Sequence, residues 1–93
     1  FPIQTLVSIQ PLVSLEADET GKLFVLTVVA ADRPGLLFVI ASELARHRAN
    51  LHTAKIATLG ERVEDTFLIS GGHLEESAGR VKLETDLLQH LQG

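Results

Sequence analysis

The sequence predicts an α+β domain in which one antiparallel sheet carries two helices on a single face. Three observations lead to this class: four strand-like runs, two segments with apolar residues at helical spacing, and the order β-β-α-β-β-α along 93 residues. A β-α-β crossover is right-handed, and a four-stranded ferredoxin-like sandwich satisfies every connection. The usual last strand of that sandwich is missing here. We therefore expect the first strand to occupy its edge, which makes the order a permuted one.

The first two strands are predicted to form a hairpin. Residues 12–17 (LVSLEA) alternate between apolar and polar positions, as an edge strand does. The polar turn at 18–22 leads into residues 23–30 (LFVLTVVA), which are apolar on both faces. This pattern is typical of a central strand that is covered on both sides. Val25 and Val29 would face away from the helices and form an apolar contact surface.

Each predicted helix carries one apolar stripe. In the first helix, over residues 35–48, the stripe comprises Leu37, Ile40, Ala41 and Leu44. In the second helix, over residues 75–92, it comprises Val81, Leu87, Leu88 and Leu91.

A second hairpin is predicted between the helices. Residues 51–59 and 62–70 are strand-like and are joined by a turn at Gly60 and Glu61. Asp65 shares the phase of the apolar residues in its strand, so we expect its carboxyl group to point inward.

Composition excludes several classes of function. The chain has no cysteine, which removes disulfides and thiolate metal sites and suits a cytoplasmic protein. A net charge of −4 and the lack of Trp and Tyr argue against nucleic-acid binding. No apolar run approaches the roughly 18 residues that a membrane span needs. Because the sequence opens without Met, we interpret it as a piece of a longer protein in which residues 1–11 are a linker or irregular segment and 12–93 the domain.

The sequence contains no recognisable catalytic or metal-binding constellation. Its four histidines form neither an i, i+4 histidine pair on one helix nor the spacing of a zinc motif. Ser42 and Ser70 have no base nearby in the sequence. We therefore expect no metal, no cofactor and no enzymatic activity in these 93 residues.

The turn DRPG, at residues 32–35 between the second strand and the first helix, admits two interpretations. Pro34 suits the first turn of a helix, Gly35 allows close backbone approach, and Asp32 can cap free N–H groups. The first interpretation is a well-capped strand-to-helix corner. The second is functional, because free N–H groups at a helix start can bind the carboxylate of a small ligand.

Residues 26–70, LTVVAADRPGLLFVIASELARHRANLHTAKIATLGERVEDTFLIS, resemble an ACT domain, the amino-acid-sensing module of metabolic enzymes. The resemblance rests on the D-R-P-G-L-L turn, the N-L opening of the strand after the first helix and the G-E-R-V-E-D-x-F hairpin. With the extra first strand and an end after the second helix, residues 12–92 resemble something narrower. They are similar to the carboxy-terminal ACT domain of the enzymes that uridylylate and deuridylylate the nitrogen-regulatory PII protein.

The resemblance implies a regulatory domain that binds an amino acid, with glutamine expected, where two ACT domains meet. Carried over residue by residue, the ligand-facing positions are Asp32, Arg33, Pro34, Gly35, Leu36, Leu37 and Asn50. The implied partners are a tandem ACT domain or a second copy paired through the sheet, and the PII protein for the parent enzyme. Ala31 stands where serine-binding relatives carry a polar residue, so the ligand identity is not carried over. The alternative is a structural ACT domain that mediates dimerisation or domain pairing without a small ligand.

Overall fold

The computed structural model describes residues 9–92. In this part of the chain the elements are β1 (Leu12–Ala17), β2 (Phe24–Ala31), α1 (Leu36–Arg46), β3 (Ala49–Lys55), β4 (Thr58–Leu59), β5 (Arg62–Gly71) and α2 (Ser77–Gln92). The sheet has the order β1-β2-β5-β3, with β4 paired to β5, and every pairing is antiparallel. This confirms the predicted ferredoxin-like α+β class, with β1 on the edge that a last strand normally fills. Most of the predicted linker, residues 1–8, lies outside the described part.

The core lies between one face of the sheet and both helices. β2 contributes Phe24, Leu26, Val28 and Ala30 to it, and β5 contributes Val63, Phe67 and Ile69. β2 is central, as predicted, because it pairs with β1 on one side and β5 on the other. Its opposite face is only half-buried, so the predicted cover on both sides is not supplied within the described chain.

The predicted helix stripes need correction. In α1 the buried residues are Leu36, Ile40, Glu43 and Leu44, whereas Leu37 is 48% exposed and Ala41 is exposed. The run LLFVIA is apolar without interruption, so periodicity alone could not choose which residue faces the sheet. In α2 the buried residues are Leu83 and Leu87, whereas Val81 is 57% exposed. The stripe that packs inward there follows the i, i+4 row through 83 and 87.

The predicted strand 51–59 is two strands in the structure. β3 starts earlier, at Ala49, and contains an irregularity between Leu51 and Thr53. It ends at Lys55, and β4 resumes at Thr58. Near the break, Glu64 donates its N–H to the Ala57 carbonyl at 2.8 Å, and Ala57 donates its own N–H to Asp65 at 3.3 Å. The backbone between β3 and β4 is therefore attached to β5 partly through a side chain.

Neither helix in the described residues has the length and hydrophobicity to cross a membrane.

Candidate functional site

The turn between β2 and α1 exposes a helix start that no side chain of residues 9–92 caps. Gly35 is the N-cap residue and has φ 79°, in the left-handed region that favours glycine. The expected capping by Asp32 is wrong, because no side chain donates or accepts at this cap. Asp32 instead donates its N–H to the Glu61 carbonyl at 2.8 Å, which ties the turn to the β4–β5 hairpin.

Backbone donors remain available at this helix start. The first helical bond of normal spacing runs from the Val39 N–H to the Gly35 carbonyl at 3.0 Å, and Leu36 makes a long bond of 3.4 Å to Arg33. The N–H groups of Leu37 and Phe38 have no acceptor among the described residues. Unpaired donors of this kind, at the positive end of a helix dipole, attract an anionic group.

A cavity of about 280 Å³ opens beside the turn. Its lining includes five of the seven predicted site residues: Asp32, Arg33, Gly35, Leu36 and Leu37. The facing wall is formed by the break between β3 and β4 and by β5, through Ile56, Thr58 and Asp65. Pro34 is in the turn but does not line the cavity. The structure thus brings most of the predicted turn residues to one concave surface.

Asp65 is the residue that the sequence-based site omitted. It lines the cavity, is 1% exposed, and its side chain accepts one hydrogen bond, from Ala57, within the described residues. Burial raises the pKa of the Asp65 carboxyl; the Ala57 bond opposes this, and the negative charge of Asp32 raises the pKa further. The sequence did indicate that Asp65 is buried, because it alternates in phase with the apolar residues of its strand. It marked the side chain as buried without showing which cavity it faced.

The Arg33 side chain is used within the fold. Its Nη2 donates to the backbone carbonyl of His90 at 2.8 Å, in the last turn of α2. This bond satisfies one of the carbonyls that a helix leaves free at its end. Arg33 therefore links the turn to α2, and its guanidinium is already engaged there.

Asn50 lies far from the turn within one chain. It opens β3, opposite Ser70, whereas the cavity touches the chain at Ile56, just after β3 ends. Six residues of strand at about 3.3 Å each separate these positions by roughly 20 Å. The structure therefore does not join the two parts of the predicted site in a single chain.

Another cavity, of about 420 Å³, lies between the end of α1 and the start of α2. Its lining includes the cations Arg46, Arg48 and Lys82 but none of the predicted site residues. Arg46 and Lys82 are already paired with Asp86, so this cavity offers less free charge than its sequence suggests. The candidate site is therefore placed at the turn.

The open helix start, the permuted sheet and the position of the turn together define the class of the protein. The model of the ACT domain family matches residues 24–82, and the chain belongs to the ACT domain family. Within it, the bifunctional uridylyltransferase/uridylyl-removing enzyme of Aromatoleum aromaticum is 58% identical over 91 residues, which are 98% of this chain and 10% of that enzyme. The enzymes of the same name from Burkholderia orbicola and Burkholderia mallei are 53% and 51% identical over 81 residues. Those residues are 87% of this chain and 9% of each enzyme.

Both levels of the resemblance drawn from the sequence are confirmed by these matches. The chain spans about a tenth of the length of the relatives it matches. No solved structure matches it.

Proposed function

We propose that this chain is the amino-acid-sensing regulatory domain of a bifunctional uridylyltransferase/uridylyl-removing enzyme, with glutamine as its ligand and the PII protein as the substrate of the parent enzyme in the cytoplasm. Identities of 51–58% to enzymes of that name support this parent. Among the described residues Ser70 Oγ lies 2.6 Å from His52 Nε2, a base that the sequence did not reveal, but no third side chain is hydrogen-bonded to the His52 ring to orient it. This incomplete pair favours a regulatory over a catalytic role.

The observation that carries the ligand class is a cavity with complementary charges on its two sides. The free N–H groups at the start of α1 suit a carboxylate. Asp65 on the facing wall, which is buried, and Asp32 on the turn itself suit an ammonium group. An α-amino acid carries both groups on one carbon, and a volume of about 280 Å³ is near the lower end of small-ligand pockets.

A second ACT domain would complete this site. β3 is an edge strand whose residues after Ala49 are all exposed. If a second copy pairs antiparallel along β3 about its middle residue, His52, the Asn50 of one copy lies opposite Ala54 of the other, two residues before Ile56 at the cavity. Asn50 then approaches the turn of the neighbouring domain, which resolves the separation seen in one chain. A tandem ACT domain in the parent enzyme could supply the same edge.

The alternative function is a structural ACT domain that pairs without a small ligand. The exposed β3 edge favours pairing in either case, because an uncovered edge presents unpaired backbone groups. Only the amino-acid proposal requires the free N–H groups and the two carboxylates to act together.

The test is an NMR titration of the paired domain with glutamine and then with the other amino acids. We expect backbone amide shifts at residues 32–38 and, through the second domain, at 50–52. A ligand of about ten heavy atoms at about 0.3 kcal/mol each gives roughly millimolar affinity. Asn50→Ala should weaken binding about tenfold, since a hydrogen bond to a charged group contributes about 1.5–3 kcal/mol.

Ser70→Ala, opposite Asn50 in β5, is the matched control: it removes the hydroxyl that lies 2.6 Å from His52 Nε2 but keeps the Asn50 amide, and it should bind like the parent chain. Unchanged amides at tens of millimolar of every amino acid, in a sample shown to be paired, would establish the structural alternative. Equal losses in Asn50→Ala and Ser70→Ala would mean that the strand end, and not the amide side chain, matters.

A further inference from the structure

Two matched pairs of side chains face each other where α1 packs on α2. Glu43 and His47 are four residues apart at the end of α1, and Asp86 and His90 are four residues apart on α2, so each pair shares one helix face. His47 Nε2 lies 2.8 Å from Asp86 Oδ2, and His90 Nε2 lies 2.8 Å from Glu43 Oε1. The pairs therefore run in opposite directions, and each histidine meets the carboxylate of the other helix.

Most of this cluster is withdrawn from solvent. Glu43 is 5% exposed and occupies a position on the buried face of α1 that would otherwise hold an apolar residue. The side chains of His47 and Asp86 are 13% and 14% exposed. Burying carboxylates costs free energy unless cations or a metal ion compensate them. Three potential metal ligands at this depth, with the half-exposed His90 beside them, are more than helix packing requires.

We propose that Glu43, His47, Asp86 and His90 form a zinc-binding site that fastens α1 to α2. Ligand atoms of Glu43, His47 and Asp86 all lie within 4.8 Å of one another. Zinc bonds of about 2.0–2.2 Å in a tetrahedron place neighbouring ligand atoms about 3.3 Å apart. The His47 Nε2–Glu43 Oε2 distance is 3.7 Å and the His47 Nε2–Asp86 Oδ2 distance is 2.8 Å, so these three ligands are already near that spacing. His90 lies outside this group of three; its Nε2 is 2.8 Å from Glu43 Oε1, and its side chain must turn toward the other two ligands to complete the tetrahedron.

Arg46 is the competitor of the metal ion. Its Nη2 lies 2.7 Å from Glu43 Oε2 and 2.8 Å from Asp86 Oδ2, between the two carboxylates. These contacts hold the pKa of Glu43 below its ordinary value, with His90 assisting, and His47 does the same for Asp86. The Arg46 side chain is 56% exposed, so it can swing into solvent when zinc enters.

The chemistry of the ligands favours zinc over magnesium or calcium. Two imidazole nitrogens with two carboxylates suit a borderline ion, whereas the hard cations prefer sites made of oxygen atoms alone. His90 is half exposed and its backbone carbonyl accepts from Arg33. A metal on His90 would therefore also steady the contact between α2 and the candidate ligand turn.

The experiment is a calorimetric zinc titration of the metal-free chain, repeated with cobalt(II) as a spectroscopic probe. We expect one zinc per chain, no competition by magnesium, and cobalt bands typical of tetrahedral coordination. Loss of outer-shell partners alone costs about 10–100-fold in metal affinity, so His47→Ala and His90→Ala should each cost at least about a hundredfold. His52→Ala and His73→Ala, which remove histidines outside the cluster, are the matched controls and should bind zinc normally.

Arg46→Gln separates a metal site from a simple ion-pair cluster. Removing the competing cation should raise zinc affinity about tenfold, while a cluster that only holds the helices together would show no zinc binding and lose stability. Circular dichroism of His90→Ala, at the exposed end of the cluster, confirms that weakened binding is not unfolding. The proposal is overturned if zinc does not bind, if the control histidines matter equally, or if Arg46→Gln binds zinc no better than the parent chain.

Discussion

The two edge strands of the sheet, β1 and β3, differ in how far their side chains are buried. β1 lies beside α2, and Leu15 at its centre is 8% exposed within the hydrophobic core. β3 is of similar length, yet every residue after Ala49 is exposed, including Leu51 at 51%. Within the described residues each of these two strands pairs on one side only, and the difference lies in their side chains: β1 places Leu15 in the core, whereas β3 contributes only the partly buried Ala49. The difference is not uniform along β1, because Leu12 at its start is 52% exposed. The comparison shows that β1 contributes more to the core than β3 does, and the exposed β3 is therefore the edge along which the proposed pairing is tested.

The exposed apolar residues reinforce this difference. On the β3 side, exposed side chains of α1 and of the β3–β4 segment border the candidate cavity: Leu37, Phe38 and Ile56. Phe38 is 75% exposed, an unusual state for the largest apolar residue of a helix. Apolar surface concentrated at one edge typically marks a contact site. The sheet-face surface predicted around Val25 and Val29 is half-buried and less prominent.

Matched leucine truncations at the two edges should give the largest effect. Leu15→Ala removes buried methyl groups and should lower the free energy of unfolding by about 2–5 kcal/mol. Leu51→Ala, at low chain concentration, should change it by less than about 0.5 kcal/mol, as exposed substitutions usually do. Urea denaturation of both variants, followed by circular dichroism, measures the difference. Similar losses in the two variants would contradict the view that the β3 edge is open in a single chain.

A charge placed on either apolar surface identifies the pairing surface. Leu51→Glu would bring two carboxylates together if copies pair along β3, and should weaken association at least tenfold, or about 1.4 kcal/mol. Val29→Glu tests the other face of the sheet and should leave association unchanged. Sedimentation velocity over a range of concentrations reports both. The reverse result, with only Val29→Glu dissociating the chains, would place the contact on the sheet face.

The fold was predictable where the pattern was local and periodic. β1 alternates between apolar and polar residues and matches its predicted range, and the polar turn at 18–22 joins it to the continuous apolar run of β2, so their pairing was predictable. The register of α1 was not predictable, because Leu36, Leu37 and Phe38 are all apolar and only tertiary packing selects among them.

For the candidate site, the sequence indicated the turn at residues 32–35 but not the residues from other strands that line the same cavity. The DRPG turn carries its own signals in Pro34 and Gly35. Asp65 joins it only because β5 passes beneath the turn, a contact between residues that are distant in sequence. The cluster of Glu43, His47, Asp86 and His90 depends even more on contacts between distant residues, since Glu43 and His90 are 47 positions apart in the chain. No local spacing rule detects such a pair, which is why the histidines formed no recognisable motif.

The smallest expected effect is a pH dependence of stability that comes from Asp65, the buried acid of β5 that lines the candidate cavity. The pKa of Asp65 is raised in the folded chain, chiefly by burial. The folded state therefore binds this proton more tightly than the unfolded state does, so the contribution of Asp65 to stability is complete below the ordinary value of 3.8 and is lost as pH rises through the folded pKa. Asp65→Asn keeps an oxygen for the Ala57 N–H and removes the titration.

Relative to the parent chain, Asp65→Asn should become more stable as pH is raised from below 3.8 toward neutrality. Glu64→Gln, one position earlier on the opposite face of β5, is the control: it removes a partly exposed acid of the same strand together with its 3.2 Å ion pair to Arg62, so a trend shared by both variants would not be due to the burial of Asp65. Thermal denaturation of the parent chain and both variants across this pH range measures the differences in stability. Glutamine in the cavity would place an ammonium group against Asp65 and stabilise its charged form. At neutral pH, saturating ligand should therefore reduce the difference in stability between the parent chain and Asp65→Asn. A difference that ligand leaves unchanged would remove Asp65 from the binding site while keeping it as a buried acid of the core.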